Sequence, residues 1–373
     1  MTTEEYGKRM AAVYGHIYQD RYNLHPNELE DARSLLSKNI MEFGVGADAV
    51  RNWTIFNTGT GREAVAAIDL GARACHIADI SPLTTEKIRH LQATRKGYER
   101  IFPYRADLCD PHFAVAARID FVYLNGVFHH LYDPWQAAKN IHAFLNVGGY
   151  FYMRLYRSGS LRFFIADFVR RFMPYEDSGV AEQTFIEKFG FFEKDKGLKN
   201  QDAKVHLYEM SYNDMFVPVP VLNLFDPSRL YSFFERNGYA GINRPNIGSY
   251  DHEVETKGGT AYSAYFRKQS DGEIKADKLG DLVHVDQLEG IDYKEGYIRE
   301  TVGLMKAALP NIKKRGAEER CGLCFDLFYA AQIHRLARFY NRTKLGFDKT
   351  DVASLNNAAA IHARLQRMLQ AYA

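Results

Sequence analysis

Thr54-Ile55-Phe56-Asn57-Thr58-Gly59-Thr60-Gly61-Arg62-Glu63-Ala64, followed by Gly71-Ala72-Arg73-Ala74-Cys75-His76-Ile77-Ala78-Asp79, reads as strand, glycine turn, helix, strand and acidic residue. Gly59 and Gly61 lack a Cβ, so the backbone there can press against a ligand, and a carboxylate about 20 residues on can grip ribose hydroxyls. That is the logic of a nucleotide crevice. It narrows the ligand without fixing the reaction. Gly59-Thr60-Gly61-Arg62-Glu63-Ala64 also satisfies the dinucleotide pattern with Ala in the third position, and an ordinary tight turn can carry the same letters.

Two further blocks extend the pattern. Ile119-Asp120-Phe121-Val122-Tyr123-Leu124-Asn125-Gly126-Val127-Phe128-His129-His130-Leu131-Tyr132-Asp133-Pro134 reads as a strand that ends in a polar turn, and Phe144-Leu145-Asn146-Val147-Gly148-Gly149-Tyr150-Phe151-Tyr152-Met153 as a turn into another strand. Together the three blocks strongly resemble the class I S-adenosylmethionine-dependent methyltransferases, in which a segment like "NGVLHH…DP" ends the fourth strand and "LKPGG" precedes the fifth. The resemblance covers residues 50 to 160 well and 205 to 267 more loosely. It implies an α/β fold, a Rossmann-like doubly wound sheet, with N-terminal helices, a cap insertion and a helical C-terminal extension added to it.

Carried across by motif, the resemblance places the amino-acid end of S-adenosylmethionine at Asn57, Gly59 and Gly61, and the ribose hydroxyls at Asp79 with Ile80 beside it. The adenine falls near Asp107 and Leu108, and Asn125 and Gly126 line the cofactor at the end of strand four. One departure stands out. Aligning on Gly61-Arg62-Glu63-Ala64 puts Asn57 where the family's first glycine sits and Ile55 where an acidic residue is common; another register puts Asn57 at the acidic position. In either register a carboxylate that usually helps position the methionine part is missing.

The composition sets limits on this reading. At 373 residues the chain exceeds a domain of ~100–150 residues, so a core with substantial additions is expected. A hydrophobic share of 46% and a charged share of 25% are those of a soluble globular protein. The net charge of +2 offers no strong pull toward nucleic acid or an anionic membrane, which favours a small-molecule substrate. The opening Met1-Thr2-Thr3-Glu4-Glu5 lacks a signal pattern and no stretch approaches ~18 consecutive apolar residues, so a cytoplasmic protein is expected. Cys75, Cys109, Cys321 and Cys324 are too few and too scattered for a disulfide framework. No metal site is expected, and Cys321-Gly322-Leu323-Cys324 reads first as two buried thiols in a helix.

Hydrophobic spacing divides the chain into five segments. Residues 1–48 form an N-terminal helical cover, with Tyr6, Met10, Val13, Tyr14 and Ile17 and then Leu29, Ala32, Leu36, Ile40 and Phe43 at intervals of three and four. By the resemblance, that cover lies over the cofactor mouth, where Tyr6, Tyr14, Tyr18 and Tyr22 are candidates to face a substrate. Residues 49–160 are the cofactor-binding core, with strands near Ile55, His76, Pro103, Val122 and Phe151. Residues 161–224 are a cap and substrate insertion, because Phe163, Phe164, Phe168, Phe172, Phe185, Phe189, Phe191 and Phe192 exceed what one exposed helix carries without a partner. Residues 225–268 return to the core with a capped helix and a last strand at Ala261–Arg267. Residues 269–373 add amphipathic helices that dock either on the chain itself or on a second copy, so a homodimer is a possible partner arrangement.

A sulfonium methyl is already an activated electrophile, so a methyltransferase mainly aligns a nucleophile and excludes water. A base helps where the attacking oxygen or nitrogen carries a proton. His129 follows the end of strand four and is the candidate base, ahead of His130. Tyr156 and Tyr208, and more weakly Arg157 and Asn213, come from segments expected to face the pocket, where aromatic faces surround a sulfonium. The reading is methyl transfer to an O or N atom of a small molecule. Two alternatives stay open: intramolecular attack within the cofactor, releasing methylthioadenosine, and a nucleotide-binding module whose appendage mediates assembly.

Overall fold

The structure, a computed structural model, describes residues 4–10, 26–189, 219–245, 252, 261–275, 284–339 and 357–373. The chain divides into two compact units. The first comprises residues 1–156, 220–246 and 261–284, and the second residues 157–219, 247–260 and 285–373.

The first unit is built on seven strands: β1 (Thr54–Thr58), β2 (Ala74–Asp79), β3 (Ile101–Arg105), β4 (Ile119–Asn125), β5 (Leu145–Tyr156), β6 (Tyr239–Ile242) and β7 (Ala261–Lys268). They lie in the order β3-β2-β1-β4-β5-β7-β6. β1 to β5 are mutually parallel, whereas β7 runs antiparallel to both β5 and β6. Parallel neighbours need a crossover: α2 (Arg62–Asp69) links β1 to β2, α3 (Pro82–Thr94) β2 to β3 and α4 (Pro134–Phe144) β4 to β5, while α1 (Pro26–Met41) precedes β1 and α7 (Pro227–Arg236) precedes β6; α5 (Leu161–Arg170) and α6 (Ser178–Phe189) lie in the second unit.

Three of these helices start by one device. Ser81, Asp133 and Asp226 each accept a backbone N–H of the first turn, from Leu83, Gln136 and Arg229, and a proline occupies the first helical position. The side chain satisfies an orphan donor, and the proline has no N–H to leave unpaired. All five residues of β1 are buried, as expected of a central parallel strand. On one face Ile55, Phe121 and Tyr123 pack with Leu36, Ile40 and Phe43. On the other, Phe56 meets Phe144 at 4.9 Å.

The strands fall where hydrophobic spacing and the glycine turns place them. β6 is the addition, absent from the sequence expectation because its four residues, Tyr239-Ala240-Gly241-Ile242, follow a glycine that reads as a helix stop.

The second unit is helical. α5 (Leu161–Arg170) buries every residue from Leu161 to Val169, which accounts for its phenylalanines. α6 (Ser178–Phe189) packs on α9 (Ala317–Phe339), which also meets α5, while α8 (Gly296–Ile312) packs on α10 (Ala358–Gln370). The segment before α8 is fastened to α5: Gln287 N–H donates to the Asp167 carboxylate at 2.7 Å, and Gly159 N–H to the Gln287 side-chain carbonyl at 2.7 Å. Cys321 and Cys324 are free thiols buried within α9. Burial holds the Cys324 thiol well above its ordinary range and moves that of Cys321 up to about 11. No helix among the described residues is long and apolar enough to cross a membrane.

Candidate functional site at the carboxyl ends of the strands

Parallel pairing brings the carboxyl ends of β1, β2, β3 and β4 to one edge of the sheet. Thr58 pairs with Ala78, Asp79 with Arg105, and Asn57 with Tyr123. Gly59, Ile80, Asp107 and Asn125 are therefore the residues at which adjacent strands end, the position where open α/β sheets bind ligands.

The turn after β1 needs glycine for two distinct reasons. Gly59 and Gly61 have φ of +100° and +89°, left-handed values that L side chains rarely adopt. A Cβ on Gly61 would also stand 2.9 Å from Ile88 Cδ1 of α3, so this glycine is pressed onto a helix. Thr84 in α3 fixes the turn by donating its hydroxyl to the Gly59 carbonyl at 2.9 Å. Gly126, with φ of +80°, has nothing within 4 Å of where a Cβ would stand. The backbone at the end of β4 is open to a ligand.

Both carboxylates are held in place. Asp79 accepts the Ser81 N–H at 2.7 Å. Asp107 accepts the Cys109 N–H at 2.8 Å through one oxygen and the Tyr132 hydroxyl at 2.8 Å through the other. Tyr6 closes over the same place: its ring meets Tyr132 edge-on at 4.9 Å and its hydroxyl donates to the His130 carbonyl at 2.6 Å. Burial, with the nearby Cys109, Asp107, Tyr132 and Asp79, pushes the Tyr6 pKa well above its usual value, so the phenol stays protonated. Gly7 lies against Ile80, 3.0 Å from its Cδ1 to the position of a built Cβ.

Beyond Gly126 the chain makes a short 3-10 turn, Phe128–His130, that buries both histidines. The His129 ring lies 3.8 Å from the Tyr156 ring, tilted by 31°. Asn223 secures the turn from outside it: its N–H donates to the His129 carbonyl at 2.7 Å and its side-chain amide to the Leu131 carbonyl at 2.6 Å. His130 Nδ1 is 3.2 Å from the Val221 carbonyl. A carbonyl only accepts, so Nδ1 carries the proton and His130 is engaged structurally. The structure thus brings His129 and Tyr156 together. Arg157, fully buried, belongs to the second unit, and Tyr14, Tyr18, Tyr22, Tyr208 and Asn213 lie outside the described residues.

Residues 56–153 match the family model of the methyltransferase domain. That segment, from β1 into β5, is similar to a methyltransferase domain. S-adenosylmethionine is the methyl donor of this family. Among solved structures, TehB from Haemophilus influenzae is similar at 19% identity over 31% of this chain and 39% of its own, with a TM-score of 0.27. This chain thus spans about two fifths of the TehB chain. The 1,6-didemethyltoxoflavin-N1-methyltransferase of Burkholderia thailandensis, whose structure contains S-adenosylhomocysteine, aligns at 14% identity over 72% of this chain and 92% of its own (TM-score 0.40). CcbJ from Streptomyces caelestis aligns at 14% over 71% and 98% (TM-score 0.41). No curated protein matches the chain.

Within the matched segment, the residues present fit the donor. Asn57 Nδ2 and Thr58 Oγ1, at the end of β1, are buried without a hydrogen-bond partner among the described residues. Such orphans cost about 1–3 kcal/mol each unless a ligand satisfies them. Tyr132, Thr58 and Asn223 went unnoticed in the sequence. Tyr132 lies inside the quoted motif, but nothing in its letters announces the bond to Asp107.

Proposed function

We propose that this chain transfers the methyl group of S-adenosylmethionine to an oxygen or nitrogen atom of a small-molecule acceptor. The observation that carries the reading is the strand-end constellation: the glycine turn with its orphaned Asn57 and Thr58, the pinned Asp79 and Asp107, and the open backbone at Gly126. The donor's sulfonium supplies a methyl group already activated for attack.

In this reading Asn57, Gly59 and Gly61 hold the amino-acid end of the cofactor, Asp79 and Ile80 its ribose, and Asp107 and Leu108 its adenine. Asn125 and Gly126 line the reacting side. Tyr6 and Tyr132 exclude water above the carboxylates. His129 takes the proton from the acceptor's O–H or N–H, and the Tyr156 ring fixes the plane of the imidazole at 3.8 Å. A cytoplasmic setting is consistent with four free, buried cysteines. A net charge of +2 supports a small acceptor over nucleic acid. The C-terminal apolar stripes lend a homodimer no support, because Phe325, Phe328 and Leu365 are already buried in the single chain.

The test is the adenosyl product formed when purified protein, S-adenosylmethionine and a pool of cell metabolites are mixed. S-adenosylhomocysteine together with a methylated metabolite is the expected result. Methylthioadenosine would replace this reading by an intramolecular reaction of the cofactor, and tight binding without turnover by an assembly role.

A further inference from the structure

The second unit contains a chain of hydrogen bonds whose direction can be worked out atom by atom. Thr301 Oγ1 lies 2.8 Å from the Tyr297 carbonyl, an acceptor only, so the hydroxyl proton is spent there. The Thr301 oxygen can then only accept. One bond comes from Gln366 Nε2 at 3.1 Å; that atom must be the amide nitrogen, because it also lies 3.0 Å from the Tyr297 carbonyl. The other comes from His362 Nδ1 at 2.9 Å, which therefore carries a proton.

His362 is held neutral, its pKa moved down to about 3 by burial, so its Nε2 is a bare acceptor. It faces His252 Nδ1 at 2.9 Å, which must donate. His252 is also held neutral, by burial first and then by His362 and Arg157. The relay thus ends on His252 Nε2, which has a lone pair, is buried and has no partner among the described residues. His252 itself is 2% exposed.

A relay that merely braced helices would be expected to end on a backbone donor. This one fixes a tautomer and leaves its acceptor without a partner among the described residues, at a cost of about 1–3 kcal/mol. The surroundings narrow what could use it. The rings of Phe164 and Tyr293 stand edge-on to His252 at 5.5 and 5.4 Å, which suits a flat apolar body. The positive charge of Arg157, which disfavours a proton on His252, equally disfavours a cationic ligand.

We infer that His252 Nε2 is a ligand-binding group of the second unit, preset by Thr301 and His362 to accept one hydrogen bond from a neutral O–H or N–H donor on an aromatic body. The inference does not depend on methyl transfer, and its test needs no S-adenosylmethionine.

In the full chain with 15N-labelled histidine, long-range proton–nitrogen correlation spectra should show His252 Nε2 as unprotonated and Nδ1 as protonated. Phenol, a neutral aromatic donor, should shift the Nε2 resonance saturably. Anisole, which has the ring without the donor, should leave it in place. His252→Phe should abolish phenol binding measured by calorimetry. Should that variant not fold, a second pair decides. His362→Gln keeps an acceptor for His252 Nδ1 and should retain phenol binding, whereas His362→Leu removes it and should weaken binding about tenfold, the worth of one hydrogen bond. A protonated Nε2, equal responses to phenol and anisole, or no response to phenol because only an internal water occupies the position, would each overturn the proposal.

Discussion

The two units carry their chemistry in different ways. In the first, each candidate ligand contact sits where a strand gives way to a turn, and the residues lie a few positions from a glycine, an aspartate or an asparagine that the turn itself requires. In the second, Thr301, His362 and His252 come from three distant stretches of chain and join in one relay, with both histidine rings against Phe164. A parallel sheet aligns its strand ends by construction, so its site can be written in local motifs. A helical core assembles polar groups through packing alone, so its site leaves no local trace.

The sharpest way to break that contrast is to damage one core and watch the other. Phe164 is fully buried and contacts His252, His362 and Tyr293. Phe164→Ala should cost about 3–5 kcal/mol of stability through the lost side chain and the cavity it leaves. Scanning calorimetry should show a lowered transition, while the affinity for S-adenosylhomocysteine at a temperature where the variant is folded stays within about twofold, the scatter left by independent sites. An equal loss of affinity would mean that the units do not carry separable functions.

Acid should single out the second unit next. His362, with its pKa moved down from an ordinary 6.5 to about 3, and His252, also lowered, are neutral in the folded protein. Below pH 6.5 the unfolded chain takes up protons that the folded chain refuses, so stability falls as pH drops from 6.5 toward 3. Each histidine contributes up to roughly 1.4 kcal/mol per pH unit in that window. His76 and His142 in the first unit are lowered too, so the wild-type slope alone does not assign the effect. The His362→Gln variant should show a shallower loss of stability between pH 6.5 and 5 in denaturant titrations, and an unchanged slope would remove the buried pair as its source.

In the first unit the comparison turns on affinity. Asp79→Ala should weaken S-adenosylhomocysteine binding by about 1.5–3 kcal/mol, or roughly 10- to 150-fold, through loss of charge-assisted hydrogen bonds to the ribose. Its stability should change less than that of Phe164→Ala, because Asp79 is only partly buried at the end of its strand. Calorimetric titration that finds unaltered affinity would undo the assignment of the strand-end site.

Sequence made the parallel core legible because glycines and capped helices punctuate it. Gly59 and Gly61 mark the first turn, and Ser81-Pro82, Asp133-Pro134 and Asp226-Pro227 mark helix starts. The pairing of His129 with Tyr156 could be guessed only in part: the two residues follow or end neighbouring strands, but the turn that carries His129 is held by Asn223, nearly a hundred positions further on. The histidine relay was illegible. His252 and His362 are single letters that no motif marks, and only packing decides that Nδ1 of one meets Nε2 of the other.

The smallest expected effect probes the N-terminal segment, which the family resemblance places over the cofactor mouth. Tyr6→Phe keeps the ring edge-on to Tyr132 and removes one atom, the hydroxyl that donates to the His130 carbonyl. The burial that keeps the phenol protonated also keeps water from replacing it, so the carbonyl loses its donor and stability should fall by about 0.5–1.5 kcal/mol. If the segment at residues 4–10 acts as a cover, that cost should recur in binding: its closed position weakens, and S-adenosylhomocysteine should leave faster with little change in its association rate. Stopped-flow displacement separates the two rates. A change in association alone would show that Tyr6 governs entry, and a loss of stability with both rates intact would make Tyr6 a packing residue, leaving the strand-end site to hold its ligand without a cover.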